Sequence, residues 1–174
     1  MLRIAAVDDE AQDRDLIERM TARFFSEHSF EAECTTYDSG VAFLDHFRGD
    51  VDLVLLDVRM PALDGFETAR RLRDQDEQVA LVFITSMAQY AIRGYEVHAL
   101  DFIVKPVNYE EFSIKMERVL RYLRRHPVET IPVTTREGLR MLSVRDITFI
   151  EVFNHDLVFH TVDGPVQTHG QLSD

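Results

Sequence analysis

The sequence predicts a doubly wound α/β domain with a five-stranded parallel sheet, followed by a smaller all-β module. Three observations support this. Short apolar runs alternate with segments of helical periodicity five times within about the first 125 residues. The run at residues 51–56 is almost wholly apolar, which is typical of a strand buried on both faces of a parallel sheet. After Pro127 the alternation stops, and only short strand patterns separated by turn residues remain.

Each predicted element has a local signal. Strands are predicted at residues 2–7, 31–37, 51–56, 79–84 and 99–104, and then at 130–135, 140–143, 147–153, 156–162 and 166–168. Helices are predicted up to about residue 26, after Ser39, after Gly65, at residues 88–95 and after Asn108, and none is predicted beyond Pro127. Ser39 and Asn108 suit helix N-caps. In the helix after Gly65, Arg70, Arg71 and Arg73 are expected to point outward.

Composition narrows the classes of function. The chain has 174 residues and a net charge of −12, and both residues 1–126 and residues 127–174 carry more acidic than basic side chains. Neither part has the basic balance that binding to nucleic-acid phosphates favours. Cys34 is the only cysteine, which suits a reducing compartment. No signal-peptide pattern and no apolar run of membrane-spanning length are found, so we expect no membrane partner and a cytoplasmic location.

Polar residues follow four of the predicted parallel strands. Asp8 and Asp9 follow the first, Asp57 the third, Thr85 the fourth and Lys105 the fifth. The carboxyl ends of parallel strands lie at one edge of a sheet, so these side chains are expected to converge. Carboxylates there suit Mg²⁺, while an ammonium and a hydroxyl could hold phosphoryl oxygens. Asp57, alone after the central strand, is the best-placed nucleophile for an aspartyl phosphate.

Each of these residues also has an ordinary structural explanation. An acidic residue after a strand commonly caps a helix or lies in a solvated turn. Lys105-Pro106 by itself is merely a loop dipeptide. The functional interpretation therefore depends on all of the residues occurring together at one predicted edge.

The motifs at this edge resemble those of a known family. Residues 1–126 resemble the receiver domain of two-component response regulators, a flavodoxin-like fold. The matching motifs are Val7-Asp8-Asp9-Glu10, Leu56-Asp57-Val58-Arg59-Met60-Pro61 with Asp64-Gly65, Phe83-Ile84-Thr85-Ser86, and Asp101-Phe102-Ile103-Val104-Lys105-Pro106. The resemblance implies that Asp57 accepts the phosphoryl group from a sensor histidine kinase.

The same resemblance implies a role for each neighbouring residue. Asp9, Asp57 and the main-chain carbonyl of Arg59 would bind Mg²⁺ directly, and Asp8 would act mainly through a metal-bound water. Lys105 would pair with the phosphoryl group, and the Lys105-Pro106 bond would be cis.

Thr85 and Phe102 match the switch pair of the family. The Thr85 hydroxyl would move toward the phosphoryl group, and the Phe102 ring would turn into the vacated space. The surface formed by the short helix at residues 88–95 and the strand at residues 99–104 would change as a result. The alternative for Phe102 is an ordinary core aromatic.

Two further segments resemble LytTR regulators. Residues 89–101 look like the segment before the last receiver strand in such proteins, and residues 139–151 look like the first half of a LytTR DNA-binding domain. The resemblance implies that residues 127–174 are the N-terminal part of that all-β domain. Asn154 and His155 are candidate DNA contacts, although Asn-His-Asp also suits a plain hairpin turn.

The function predicted from these observations is a phosphorylation-activated regulator of transcription that is not an enzyme in its own right. It would form a homodimer on phosphorylation, and promoter DNA would be a partner of a longer parent protein, with weak or no binding by this chain. The first alternative is a receiver whose output is protein binding or dimerisation without DNA. The second is an Mg²⁺-dependent phosphotransferase or phosphatase, which lacks a visible second acid–base group.

Overall fold

The computed structural model describes residues 1–127, 129–135, 138–153 and 156–169. The chain divides into two compact units, Met1–Arg125 and His126–Asp174. This division lies one residue before the boundary expected from the sequence. Within the described ranges, no helix has the length and apolar character needed to cross a membrane.

The first unit alternates strands and helices throughout. Its strands are β1 (Leu2–Val7), β2 (Ala32–Tyr37), β3 (Leu53–Leu56), β4 (Ala80–Thr85) and β5 (Asp101–Val104). Its α-helices are α1 (Ala11–Glu27), α2 (Gly40–His46), α3 (Gly65–Gln75) and α4 (Tyr109–Arg125), and a 3₁₀ helix spans Ala88–Val97.

The five strands form one parallel sheet in the order β2-β1-β3-β4-β5. The predicted doubly wound fold is therefore confirmed. Chain order reverses between β1 and β3, where Val7 pairs with Leu56. In such sheets the crevice at the reversal, outside the carboxyl ends of the strands, is the usual ligand site.

Apolar side chains cover both faces of this sheet. Every residue of β3 and β4 is buried, as the apolar runs in the sequence predict. On one face, Phe43 of α2 and Phe66 and Leu72 of α3 pack against the strands. On the other face, Phe24 of α1 and Met116 of α4 do so. The two cores hold the strand ends in fixed positions, as a precise site requires.

Polar side chains cap three helices. The Oγ atom of Ser39 accepts a hydrogen bond from the Ala42 N–H at 3.2 Å, and Oδ1 of Asn108 accepts one from the Glu111 N–H at 2.9 Å. Both predicted caps are confirmed. Asp64 caps α3 in the same way, through a bond from the Glu67 N–H at 2.8 Å. Each such cap contributes about 1 kcal/mol to helix stability.

The helix predicted at residues 88–95 is present, but it is a 3₁₀ helix that runs to Val97. Its first residues lack a side-chain cap, and the Tyr90 N–H bonds the Met87 carbonyl three residues back rather than four. The i→i+3 pattern makes a tighter helix with poorer hydrogen-bond geometry than the α-helix. This segment follows Thr85 and leads through His98 into β5.

The expectation that Arg73 points outward is wrong. Its half-buried guanidinium donates to the carbonyls of Val97 at 2.8 Å and Val79 at 2.9 Å, and it also contacts the carbonyls of Asp76 and His98. Carbonyls at the ends of helices lack partners within the helix, so they need donors from elsewhere. Burial lowers the pKa of Arg73 from its usual value.

The second unit is built from antiparallel strands. They are β6 (Thr130–Thr135), β7 (Gly138–Ser143), β8 (Ile147–Phe153), β9 (Asp156–Thr161) and β10 (Gly164–His169). β6 pairs with β7, and β10, β9 and β8 form a second sheet in that order. A one-turn 3₁₀ helix, Val144–Asp146, joins the two sheets, where no helix was predicted.

The core of the second unit is small. Its buried apolar residues are Val133, Leu142, Leu157, Phe159 and Val166. β8 lies at the edge of its sheet, and six of its seven residues are exposed. A core of this size leaves much of the unit's apolar surface uncovered.

Candidate functional site

The carboxyl ends of β1, β3, β4 and β5 meet at one edge of the parallel sheet. The Asp57 N–H donates to the Val7 carbonyl at 2.9 Å, and the Lys105 N–H donates to the Thr85 carbonyl at 3.0 Å. These main-chain bonds continue the strand ladders by one residue. As a result, the residues that directly follow neighbouring strands lie next to each other at this edge.

Three carboxylates gather at this edge. One oxygen from each of Asp8, Asp9 and Asp57 lies within 4.8 Å of the other two. Asp8 and Asp57 are buried, while Asp9 is exposed to solvent. Two buried carboxylates in close proximity repel each other, so nearby donors are needed to stabilise them.

Asp8 has donors for both of its carboxylate oxygens. Oδ1 accepts a bond from the Glu10 N–H at 2.9 Å, and Oδ2 accepts one from Lys105 Nζ at 2.7 Å. Burial nevertheless raises the pKa of Asp8, and these hydrogen bonds oppose the shift. The short contact with the ammonium is that of a charge-assisted bond.

Only one of the two carboxylate oxygens of Asp57 accepts a hydrogen bond from the described residues. Oδ2 accepts a bond from the Arg59 N–H at 3.0 Å. Oδ1 is buried and has no hydrogen-bond partner among the described residues, and Lys105 Nζ lies 3.7 Å away. A buried oxygen without a partner is uncommon in folded proteins and calls for an explanation. Here it is the oxygen nearest to the Lys105 ammonium in the recorded ion pair.

Lys105 is the cation of the site. Its Nζ lies 2.6 Å from Asp13 Oδ2 and 2.7 Å from Asp8 Oδ2. Burial alone would lower the pKa of Lys105, but hydrogen bonds to Asp13 and Asp8, together with the charge of Asp57, raise it above its usual value. The Lys105–Pro106 peptide bond is cis, as the resemblance implies.

Asp13 was not among the residues expected at this site. It lies in the first turn of α1, which begins directly after the turn that follows β1. A signal was available in the sequence, because the first turn of a helix after a parallel strand lies over the carboxyl edge of the sheet. An acidic residue four positions after Asp9 could therefore have been added to the candidates.

Gly65 allows α3 to approach the Asp57 main chain. A Cβ atom at this position would lie 2.1 Å from the Asp57 carbonyl oxygen and 2.8 Å from Val58 Cα. The Gly65 N–H donates to the Val58 carbonyl at 2.8 Å. The glycine thus fixes the loop that carries Asp57 and Arg59 against the start of α3.

Thr85 and Phe102 lie on neighbouring strands. Thr85 is fully buried at the end of β4, and its hydroxyl accepts a long bond from the Met87 N–H at 3.4 Å. Phe102 is half-buried, with its ring centroid 6.0 Å from that of Phe83. Among the contacts that the structure records, the long bond from Met87 is the one that involves the Thr85 hydroxyl.

The remaining candidates belong to the second unit. Asn154 and His155 lie outside the described residues. Among the described ranges, Asp8, Asp9 and Asp57 form the only group of three or more His, Cys, Asp or Glu residues placed to hold a metal ion.

The expected site residues thus fall into two groups. Asp8, Asp9 and Asp57 have oxygens within 4.8 Å of one another, Lys105 pairs with Asp8 and Asp57, and the Arg59 main-chain N–H donates to Asp57. Thr85 lies at the end of the adjacent strand. The arrangement combines hard oxygen ligands, one buried carboxylate oxygen without a hydrogen bond and one ammonium, a set suited to Mg²⁺ and a phosphoryl group.

Comparisons with known proteins agree with this geometry. Residues 4–117 match the model of the response regulator receiver domain. The positive alginate biosynthesis regulatory protein of Pseudomonas aeruginosa is 25% identical over 162 residues, which cover 85% of this chain and 64% of that protein. The transcriptional regulatory protein NatR of Bacillus subtilis is 25% identical over 175 residues, which cover 100% of this chain and 74% of NatR.

A solved structure adds a comparison of the fold. Response regulator protein TrrA of Thermotoga maritima, in complex with Mg²⁺-BeF, superposes with a TM-score of 0.60 at 28% identity. The match covers 68% of this chain and 99% of the TrrA chain. With the family match extending over well more than half of its residues, this chain belongs to the response regulator receiver family.

Proposed function

We propose that this chain is a phosphorylation-activated switch that receives a phosphoryl group on Asp57 from a sensor histidine kinase. One observation carries the proposal: Asp57 Oδ1 is buried, has no hydrogen-bond partner in the described part of the chain and lies 3.7 Å from Lys105 Nζ. Oδ2 is held by the Arg59 N–H, so Oδ1 is the oxygen left to attack phosphorus. Asp8 is less suited to this role because donors engage both of its oxygens.

The transfer replaces one bond to phosphorus with another. Asp57 Oδ1 forms a bond to phosphorus as the bond from phosphorus to the donor's imidazole nitrogen breaks. The electron pair remains on that nitrogen, and the product is an acyl phosphate on Asp57. The Lys105 ammonium would hold one phosphoryl oxygen and offset its charge.

Asp9, Asp57 and the Arg59 carbonyl would hold Mg²⁺ directly, and Asp8 would act through a water. The donor set fits this ion, because oxygens of three carboxylates lie within 4.8 Å of one another and oxygen is the ligand type that Mg²⁺ prefers. When bound, Mg²⁺ supplies positive charge to the phosphoryl oxygens during transfer.

Thr85 and Phe102 would carry the signal to the surface. A phosphoryl group on Asp57 would attract the Thr85 hydroxyl, whose recorded bond to the Met87 N–H is long and easily exchanged. Phe102 would then turn inward, beside the 3₁₀ helix Ala88–Val97. A 3₁₀ segment of ten residues is long for its type and suits a conformational hinge.

The proposed output is regulation of transcription. It rests on the LytTR-like sequence of the second unit, on its antiparallel strands and on the similarity to NatR, a transcriptional regulatory protein. This chain spans 64% of the alginate biosynthesis regulator and 74% of NatR. Promoter DNA is proposed as a partner of the whole protein, with Asn154 and His155 as candidate contacts.

The proposal has three further parts. The protein forms a homodimer on phosphorylation, it is located in the cytoplasm, and it is not an enzyme in its own right. The alternative output, protein binding without DNA, is favoured by the acidic balance of residues 127–174. Gel shifts with promoter DNA, made with this chain and with a full-length parent, separate the two outputs. DNA binding by the full-length phosphorylated form supports the first, and phosphorylation-dependent self-association without a shift supports the second.

The phosphorylation site has a direct test. Incubation with acetyl phosphate and Mg²⁺ should add one phosphoryl mass to the intact protein, and Asp57→Asn should abolish the addition. Asp74→Asn, an exposed aspartate on α3, is the matched control and should label like the original chain. Equal labelling of the Asp57→Asn variant would contradict the assignment.

A further inference from the structure

The tightest ion pair of the site involves a residue that the proposed chemistry does not use. We propose that Asp13 is a positioning residue, which holds Lys105 in its resting place and competes with a phosphoryl group on Asp57 for that ammonium. This inference rests on the proposed phosphorylation of Asp57. The inference adds Asp13 as a residue that influences the rate at which Asp57 is phosphorylated.

The geometry shows where the Lys105 ammonium is held. Its Nζ lies 2.6 Å from Asp13 and 2.7 Å from Asp8, but 3.7 Å from Asp57 Oδ1. An ammonium has three protons, and here the two short contacts point to Asp13 and Asp8. Lys105 therefore lies beyond hydrogen-bond distance of the oxygen that would accept the phosphoryl group.

Burial distinguishes the two short contacts. The Asp8 side chain is 6% exposed, whereas that of Asp13 is 30% exposed. Loss of the lysine would leave Asp8 with a buried charge, but water can replace it at Asp13. Asp13 is thus the contact that can be released when Lys105 moves toward a new anion.

The charges explain why a second anchor is needed. Asp8, Asp9 and Asp57 surround the site, and Lys105 is the cation that pairs with the carboxylates of Asp8 and Asp57, whereas Arg14 donates to the Asp8 main-chain carbonyl. With Asp13 present, the ammonium is shared among three carboxylates before any phosphoryl group arrives. The Lys105–Asp13 ion pair therefore stabilises the unphosphorylated state, and it would be lost in the phosphorylated state.

This asymmetry predicts a specific kinetic pattern. Asp13→Asn removes an interaction of the resting state that is already broken once Lys105 holds the phosphoryl group. Phosphorylation by acetyl phosphate should accelerate by roughly three- to tenfold, in line with one charge-assisted hydrogen bond at a partly exposed position. The first-order loss of the phosphoryl group should stay within about twofold of the original rate, because neither its ground state nor its transition state uses Asp13.

Two controls separate positioning from a general charge effect. Asp15→Asn removes the same charge from an exposed position on the same helix and should leave the phosphorylation rate unchanged. In a Lys105→Met background, Asp13→Asn should no longer accelerate phosphorylation, because a coupled pair loses its effect when one partner is absent. Acceleration that persists in that background would instead indicate repulsion of the anionic donor and would overturn the proposal.

A crystal structure of the Asp13→Asn variant gives a readout that does not depend on rates. Lys105 Nζ should move to within hydrogen-bond distance of Asp57 Oδ1. If Asp13→Asn folds poorly, Asp13→Ser serves the same purpose, with urea unfolding as the check on both. An unmoved lysine with an unchanged rate defeats this inference alone, whereas an original chain that never labels on Asp57 defeats the proposed function itself.

Discussion

The two carboxylate oxygens of Asp57 differ in their surroundings, and this difference defines the site at the scale of single residues. Oδ2 is fixed by a main-chain N–H, whereas Oδ1 is buried with only a distant ammonium beside it. Fixing one oxygen orients the other, which reduces the reorganisation needed for attack on phosphorus. Gly65 contributes to this arrangement, because the lack of a side chain lets the start of α3 approach the Asp57 carbonyl.

Gly65→Ala should disturb both stability and the site. The added Cβ would lie 2.1 Å from a main-chain oxygen, and neither the helix nor the loop can move without repacking. We expect a loss of about 3 kcal/mol in the free energy of unfolding, as for other overpacked positions. Urea unfolding gives the stability, and labelling by acetyl phosphate, which should slow, reports on the site.

Gly94→Ala is the matched control for Gly65→Ala. Its Cβ would meet Ala99 Cβ at 3.4 Å, an ordinary contact. This substitution should leave the free energy of unfolding within about 1 kcal/mol of the original value. Similar losses for both variants would show that the close approach at Gly65 is not the cause.

At the scale of elements, the 3₁₀ helix Ala88–Val97 is held mainly by side chains from α3. Arg73 donates to carbonyls at the end of that helix and at the start of β4. Arg70 pairs with Glu96 at 3.1 Å, and the Arg93 guanidinium lies over the Phe66 ring at 4.3 Å. Val97 is also buried in the core, and Tyr90 packs against Phe66, so polar and apolar contacts together connect this helix to α3.

Arg73→Met tests the strength of this connection. The variant keeps an apolar stem but removes the donors to four carbonyls, so unfolding should become easier by about 1–3 kcal/mol. Arg73→Lys should recover only part of the loss, because one ammonium cannot span the same acceptors. Urea unfolding measures both variants.

Arg71→Met is the control, because Arg71 is exposed and pairs only with Glu67, one turn away, among the contacts recorded. Surface pairs of this kind contribute about 0.5 kcal/mol or less. A cost for Arg73→Met as small as that for Arg71→Met would mean that the carbonyl contacts do not stabilise the fold.

At the scale of the whole molecule, the two units differ in the size of their cores. The first unit has buried apolar clusters on both faces of its sheet. Among its described residues, the second has five buried apolar side chains and an edge strand, β8, that is exposed along most of its length. Stability increases with the apolar area that a unit buries, so the two units should not be equally stable.

Hydrogen exchange on the full chain should reveal this difference. Amides of β3 and β4 should exchange slowest, through global unfolding of the first unit. Amides of β9, at the centre of its sheet, should exchange at least about a hundredfold faster, through opening of the second unit. Equal protection in β4 and β9 would show that the units unfold together, and this prediction would then be wrong.

The sequence by itself determined the architecture of the first unit and the residues at its carboxyl edge. Buried parallel strands need continuous apolar runs, and capped helices need specific residues at their starts, so both leave local patterns. The strand order then brings Asp8, Asp57 and Lys105 to one edge without further information. The tertiary structure decided what no local pattern contains.

Three features were settled by the tertiary structure, although the place of Asp13 in the first turn of α1 was a signal for the second. Arg73 turns inward because carbonyls from other segments surround it. Asp13 reaches Lys105 because α1 begins over the edge of the sheet. Only one oxygen of Asp57 lacks a hydrogen bond, because the Arg59 N–H engages the other. Contacts between residues far apart in sequence depend on distances and angles that residue type and spacing do not specify.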